Sequence, residues 1–494
     1  MIDAHLPALQ VVVPLMAAPA CALLRRRERA WICAAAASGL SLLIAIRLLW
    51  LVLAAGTIRY ALGGWPAPWG IEYRVDAVSA FLLLLVTLIG TLVIAWAPAS
   101  VARELGEARG HFVYAAYLLC LTGLLGIVIT GDAFNLFVFL EISSLASYTL
   151  ISLGPDRRAL HAAYQYLIMG TIGATFYVIG IGLVYMMTGT LNMADLAVRL
   201  RPVLGTRTIL VAFAFLSVGL TLKLALFPLH LWLPNAYAYA PSFVTAFLAA
   251  TATKVGVYVY ARFFYGVFGA DFAFGHLRLD LLIVPLALAG IVVASLVAVF
   301  QNNVKRMLAF SSIAQISYMV LGIGFASVTG LTATLVHVFN HALTKGALFL
   351  ALGAVVFRLG SAELVDLRGL GRRMPWTAAA LVLGGLSLIG VPLTVGFVSK
   401  WYLVQAALER GWWPVAALIL LGSVIALAYV WRVVEMAYFH APPAGAEGRE
   451  EAPLSLLVPV WILVAASLFF GVFTSLTVGM ARRGAELLAG GGLP

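Results

Sequence analysis

Residues 219–230 read GLTLKLALFPLH, a run apolar enough for a bilayer that nonetheless holds Lys223, with Pro228 and His230 close behind. A charged side chain at mid-bilayer costs roughly 2.5–3.5 kcal/mol on insertion scales. Such a group faces a hydrated interior or a partner, and by default marks an ion or proton path. Pro228 withholds a backbone donor from the carbonyl of Leu224 in a continuing helix, and in lipid a freed carbonyl must be met by protein or water. The stretch therefore predicts a membrane helix opened for water beside Lys223. His230 falls either on an inner proton route or at the membrane interface.

The surrounding residues extend this run to a span over 206–233, more than the roughly twenty residues that cross a hydrocarbon core. Thirteen further runs of similar character lie at 7–24, 30–53, 75–97, 111–130, 133–153, 160–188, 241–265, 279–300, 305–326, 329–357, 375–408, 411–440 and 454–478. The 494 residues are 63% apolar and 10% charged, whereas soluble domains carry about a quarter charged residues. The chain reads as an all-α polytopic membrane protein of fourteen transmembrane helices. Residues 54–74, with GGWPAPWG, read as a turn-rich interfacial segment. LNMADLAVRLRP (191–202) and SAELVDLRGLGRRMP (361–375) read as short amphipathic connectors.

The net charge of +11 fits the bias of membrane loops towards basic residues. No polybasic patch with interleaved aromatics suggests nucleic acid. Cys21, Cys33 and Cys120 sit in or beside apolar runs without CxxC spacing, which argues against a disulfide or metal site. The first apolar run precedes its positive charges and no small-residue cleavage site follows, so it reads as a retained helix. With the amino terminus outside, inner loops hold sixteen basic residues, among them Arg103, Arg109, Arg158, Lys305, Arg306 and Arg449. The outer side holds ten, among them Arg74 and Arg262. The asymmetry predicts both termini outside.

Twenty-six of the thirty-one basic residues are arginine, and four of the five lysines, Lys223, Lys254, Lys345 and Lys400, lie inside spans. Arginine stays protonated in any protein environment, whereas a buried lysine can lose its proton. A site that releases and regains H⁺ needs lysine; a loop needs only charge. Arg47 is also within a span, near enough to its end to snorkel.

Glu141 is the one acid well inside a span, nine residues past Asp132 and so about 13 Å deep at 1.5 Å per residue. It needs a partner, and Lys223 is the expected one. A static structural salt bridge would need the same two residues. In HVFNHALTKGALFL, His337, His341 and Lys345 fall at i, i+4 and i+8, on one helix face about 12 Å long. Titratable groups in such a stripe read as a proton relay. Neither a third ligand nor HExxH is present, so metal binding fits poorly. In LSLIGVPLTVGFVSKWYL, Gly390, Pro392 and Gly396 interrupt a span ahead of Lys400. Breaks at corresponding places in two halves point to transporter repeats.

These motifs resemble the antiporter-like subunits shared by Mrp-type multisubunit cation/proton antiporters and the membrane arm of respiratory complex I. The resemblance runs from about residue 60 to 440 and rests on GDAFNLFVFLEI, TLKLALFPLHLWLPNAY, TATKVGVYVYAR, NNVKRMLAFSSIAQISY with Lys305, HVFNHALTKG, DLRGLGRRMP and the run ending at Lys400. It implies broken helices and two inverted five-helix repeats, 111–265 and 279–440, between 1–110 and a carboxy-terminal segment, 441–494. It also implies a buried charge axis from Glu141 through Lys223, Lys254 and the His337/His341 region to Lys400. Lysine at position 400 and the early WPAPWGIEYRVDAVSAF are similar to the Mrp D type. The implied function is a proton-translocating subunit of a Na⁺/proton antiporter in a cell inner membrane, working with other membrane subunits. The alternative is a proton-pumping subunit of a complex I-type NADH:quinone oxidoreductase or a membrane hydrogenase. No CxxC cluster or dinucleotide fingerprint appears, so no cofactor is expected in this chain. The sequence does not choose between Na⁺, K⁺ and protons alone as cargo.

Overall fold

A computed structural model describes residues 2–105, 110–443, 448 and 451–490. Arg109 and Arg449, counted above among the inner basic residues, lie outside the described residues. The chain begins with α1 (Ile2–Leu23), α2 (Arg27–Ala55) and a hairpin of β1 (Ile58–Ala61) and β2 (Glu72–Val75). Next come α3 (Ala77–Glu104), α4 (Gly110–Ile129), α5 (Ala133–Ser152), α6 (Arg158–Thr188) and the short α7 (Met193–Arg199). Then follow α8 (Arg207–Leu224), α9 (Trp232–Tyr239), α10 (Ser242–Ala250), α11 (Ala252–Ala261), α12 (Asp280–Val299), α13 (Val304–Gly324) and α14 (Val328–Leu359). The remaining helices are α15 (Leu370–Arg373), α16 (Pro375–Ile389), α17 (Val395–Glu409), α18 (Trp413–Phe439), α19 (Leu454–Val472) and α20 (Ser475–Ala489).

Among the described residues, thirteen helices are long and apolar enough to cross a membrane. The short helices α16 and α17 together cover the span expected over 375–408, which accounts for the fourteenth. The most enclosed helices are α4, α10–α11, α13 and α14, while α1, α2, α6, α12, α18 and α19 keep more open faces.

Two landmarks recur. Asp132 caps α5 by accepting the Asn135 N–H at 2.7 Å, and Asn303 caps α13 by accepting the Arg306 N–H at 3.1 Å. Each cap forms an antiparallel bridge to the loop after the following helix, Asp132 to Asn192 and Asn303 to Glu363. The intervening helices end at Gly189 and Gly360, both left-handed. The positions 132 and 303, 189 and 360, and 192 and 363 are all 171 residues apart, so one local device is built twice.

The hairpin departs from an all-helical reading. Its strand Glu72–Val75 is wholly buried, and Arg74 has the Asp76 carboxylate at 3.9 Å as its ion contact. Asn192 donates to Glu72 at 3.1 Å. Asp76, just ahead of α3, caps that helix through the N–H groups of Val78 and Ser79, and also accepts two bonds from Arg262 at 2.7 and 2.9 Å. Arg262 is therefore no outer-loop residue. It lies in a π-helical turn within the span Ser242–Val267, buried and ion-paired.

Burial alone would push the Asp76 carboxyl up, but Arg262, together with the Ser79 N–H and Arg74, outweighs it and the group is lowered to about 2. A depressed carboxylate contributes stability that is present above its unfolded value of about 3.9 and lost as pH falls through about 2. Replacing Asp76 by asparagine leaves Arg262 buried without a counter-charge. The expected loss is about 3–5 kcal/mol, read as a lower unfolding temperature of the solubilised protein.

The breaks also differ from expectation. α8 has already ended at Leu224, with Ala225 left-handed at φ 60°. Pro228 thus sits in a connecting turn and frees no carbonyl of a continuing helix. The exposed carbonyls are met internally: Trp232 Nε1 donates to Leu222 O at 3.1 Å and Leu226 N to Thr221 O at 3.2 Å. In the second break Gly390 and Leu393 are left-handed, and Pro392 lies exposed between them. Gly396 is inside α17; a Cβ there would meet Ser387 O at 1.8 Å, so its role is close approach to α16. A third interruption, at Thr251 between α10 and α11, falls in a span read above as continuous. Finally, α20 starts within the last expected span and runs past its end, burying Thr477, Ala481, Gly484, Ala485 and Leu488, a one-face helical spacing.

Candidate functional site

α5 and α8 bring the first pair together. Lys223 Nζ lies 3.2 Å from Glu141 Oε1 and 2.9 Å from Ser144 Oγ. Ser144 is three residues beyond Glu141, so carboxylate and hydroxyl share one face of α5. Lys223 sits in the last turn of α8, where helix carbonyls favour a cation. The lysine side chain is 6% exposed and the glutamate 26%, so the acid reaches outward while the amine stays enclosed. Asp132, the sequence's accessory candidate nine residues before Glu141, is occupied as the α5 cap.

A second cluster fills the middle of the bundle. Lys254, His337, His341, Lys345 and Lys400 are all buried. The His337 and His341 rings stack 6.0 Å apart and 8° from parallel, as their i, i+4 spacing on α14 requires. His341 lies in the field of Lys254 and Lys345, and His337 in that of Lys254 and Lys400. His337 Nδ1 is 2.8 Å from Ser399 Oγ, on the residue before Lys400. Among the described residues, His337 Nε2 and both ring nitrogens of His341 have no hydrogen-bond partner.

The amines are solvated by backbone oxygen. Lys400 donates to Leu388 O and Ile389 O, each at 2.9 Å, and to Ser423 Oγ at 2.9 Å. Lys254 donates to Ala249 O, the penultimate residue of α10, and stands 3.4 Å from Thr253 Oγ1. Both lysines thus meet the carbonyl end of a half-helix, the negative pole of its dipole. Lys345 instead reaches across to α13, donating to Leu308 O at 2.7 Å and to Ser311 Oγ at 2.5 Å. Lys400 also stands 5.1 Å from the Tyr318 ring centre, and a cavity of about 380 Å³ lined by Gly390, Lys400, Trp401 and Ser423 opens beside it. Among the described residues no carboxylate pairs with Lys254, Lys345 or Lys400. These amines and imidazoles cannot all carry charge together, because like charges in a low-dielectric interior repel strongly.

The accessory positions separate. His230 stacks on Phe227 at 5.3 Å and meets Phe310 edge-on at 6.5 Å, in an aromatic niche. Pro228 and Pro392 belong to the helix breaks. Lys305 is buried near the start of α13 and donates to Ala240 O at 3.3 Å. The hydroxyls of Ser144, Ser311, Ser399 and Ser423 were missed in the sequence. Ser144 alone had a readable signal, its i+3 spacing from Glu141; the others are assembled by packing between helices.

A multi-pass bundle whose helices break beside enclosed, mutually repelling amines defines an antiporter-like membrane subunit. The chain belongs to the NADH:quinone oxidoreductase/Mrp antiporter transmembrane family, whose model matches residues 130–426. It is 42% identical to NADH-quinone oxidoreductase subunit N of Desulforudis audaxviator over 95% of this chain and 96% of that one. It is 31% identical to the D-type Na(+)/H(+) antiporter subunit of Bacillus subtilis over 92% and 90%. The fold matches a chain of the Mrp complex from Dietzia sp. DQ12-45-1b with TM-score 0.90 and 27% identity, covering 99% of this chain and 98% of that one.

Proposed function

We propose that this chain translocates protons as a membrane subunit of a multisubunit Na⁺/proton antiporter, with Glu141, Lys223, Lys254, His337, His341, Lys345 and Lys400 as the proton-carrying groups. The observation that carries this reading is the lack, among the described residues, of a carboxylate beside Lys254, Lys345 and Lys400, set against the Glu141–Lys223 pair at 3.2 Å. The cluster holds fewer protons than sites, so a proton entering at one end displaces another. Glu141 holds the Lys223 proton while paired; separation removes the counter-charge and favours release towards Lys254 and the histidines. Unpartnered imidazole nitrogens can take that proton from either side and pass it to Lys345 or Lys400.

The two halves, 111–265 and 279–440, act as repeats in this reading, supported by the duplicated cap-and-bridge landmarks. Work within a larger membrane assembly is supported by the complexes in which the similar proteins are named. The reading that both termini lie outside rests on the loop charge asymmetry.

Likeness to the Bacillus antiporter subunit and to the Dietzia complex supports cation exchange as the driving process. A second reading, proton pumping driven by a redox partner, is favoured by the 42% identity to an oxidoreductase subunit. Vesicles holding the native complex separate the two. An imposed Na⁺ gradient is expected to drive an opposing pH change without added electron donor. Flavin or iron in the purified complex, with proton movement only during electron transfer, would overturn the first reading in favour of the second.

A further inference from the structure

A cavity of about 310 Å³ lies where α3, α6, α9, α13 and α14 meet. Its lining includes Arg103, Glu104, Asp156, Arg158, Asn303 and Lys305, all on the arginine-rich side assigned as inner. At about 30 Å³ per water, its size suits on the order of ten waters. Most of its charges already have structural work. Arg158 is bound to Asp156 at 2.5 Å, and Asn303 caps α13. Glu104 accepts the Ser242 N–H at 3.0 Å, at the start of α10, and lies in the field of Lys305. Lys305 is different: it is buried, lines the cavity, and among the described residues has only the distant Ala240 carbonyl, at 3.3 Å, as a hydrogen-bond partner.

The α13 helix connects this cavity to the central cluster. Leu308 and Ser311 are three and six residues beyond Lys305, a rise of about 4.5 and 9 Å at 1.5 Å per residue. Leu308 O receives Lys345 Nζ at 2.7 Å, Ser311 Oγ at 2.9 Å and Ser312 Oγ at 3.0 Å. One carbonyl thus gathers a lysine and two hydroxyls a single turn above the lysine at the cavity floor. His230, the sequence's candidate for the inner route, lies instead among aromatic rings.

We propose that this cavity is the inner water-filled mouth of the proton path and that Lys305 is its loading residue, exchanging protons with cavity water and passing them along α13 to Lys345. Glu104 is a positioning residue: its carboxylate sits at the α10 start and keeps a positive charge favourable at Lys305. The step conserves its atoms. A hydrated proton from the inner solution passes through cavity water to the Lys305 amine. Each hydroxyl on the way to Lys345 then accepts one proton at its oxygen as it releases its own, leaving neutral water and hydroxyls behind.

This inference rests on the proton-carrying reading above, and the test separates their failures. The complex is reconstituted in vesicles and proton movement followed with a pH-sensitive dye. Lys305→Met and Lys305→Arg are both expected to slow movement at least tenfold with the complex assembled, since neither side chain exchanges a proton. If Lys305 only propped the Ala240 carbonyl, arginine would restore the rate, and that result overturns the proposal. As a second route, Val356→Cys, on the cavity wall, is labelled with a membrane-impermeant thiol reagent from the inner side. Labelling is expected to lower that variant's own rate several-fold; an unchanged rate after complete labelling also overturns the proposal. Should the native complex move no protons at all, the broader reading fails first. If it moves protons and Lys305→Arg does so equally, only the inlet falls.

Discussion

Arginine in place of Lys254 is expected to stop proton movement, with a rate at least a hundredfold below that of the native complex. The substitution keeps a positive charge at the end of α10, where Lys254 donates to Ala249 O. What it removes is the ability to let a proton go: a guanidinium stays protonated in any protein environment, whereas an ammonium in an enclosed site exchanges. Lys254 lies in the field of both His337 and His341, so a permanent charge there also keeps those imidazoles neutral and idle. The same change at Lys400 is expected to act alike, since that amine likewise rests on the carbonyl end of a half-helix. Proton flux into vesicles holding the assembled complex is the measurement. A normal rate in the Lys254→Arg complex would mean that fixed charge suffices, and the relay would have to be abandoned.

Glutamine at position 141 is expected to abolish transport while leaving the complex assembled. The amide fills the same space and can still accept from Lys223 Nζ, which also keeps Ser144 Oγ at 2.9 Å. The helix contact between α5 and α8 is therefore retained. The negative charge that holds the Lys223 proton is lost, so the amine has no state in which it is loaded by its partner. Because the glutamate side chain is about a quarter exposed, the stability lost is less than the ~3–5 kcal/mol of a fully buried pair broken on one side. Size-exclusion behaviour of the solubilised complex should match the native one while flux falls by two orders of magnitude. Loss of assembly together with flux would make the pair a structural tie, and full flux would remove it from the mechanism.

The Asp76–Arg262 tie shows the limit of charge counting along a chain. Arg262 stands at the end of the run 241–265 and counts by position with the outer charges, yet it is buried and held by a carboxylate 186 residues away. Nothing local marks that partnership. The hairpin over 58–75 is equally hidden, because GGWPAPWG reads as turn whether or not its flanks pair. Pro228 is a real signal with a misplaced cause: the helix stops three residues earlier, at the left-handed Ala225. A proline says that a helix will not continue through it, but not where the preceding turn gives way.

Length and apolarity are one-dimensional properties, so the sequence by itself determined the membrane class, the apolar runs of membrane length and the short list of amines that lipid would not tolerate without a purpose. The expense of charge in hydrocarbon also made Glu141 and Lys223 natural partners before any packing was known. Tertiary structure alone decided how the other amines are solvated. Lys254 and Lys400 rest on the ends of half-helices, and Lys345 leans on α13 and not on its own histidine stripe. Such contacts depend on which helix faces meet and on how broken ends are turned. A backbone carbonyl, present at every residue, leaves no mark in the sequence to show which lysine it will receive.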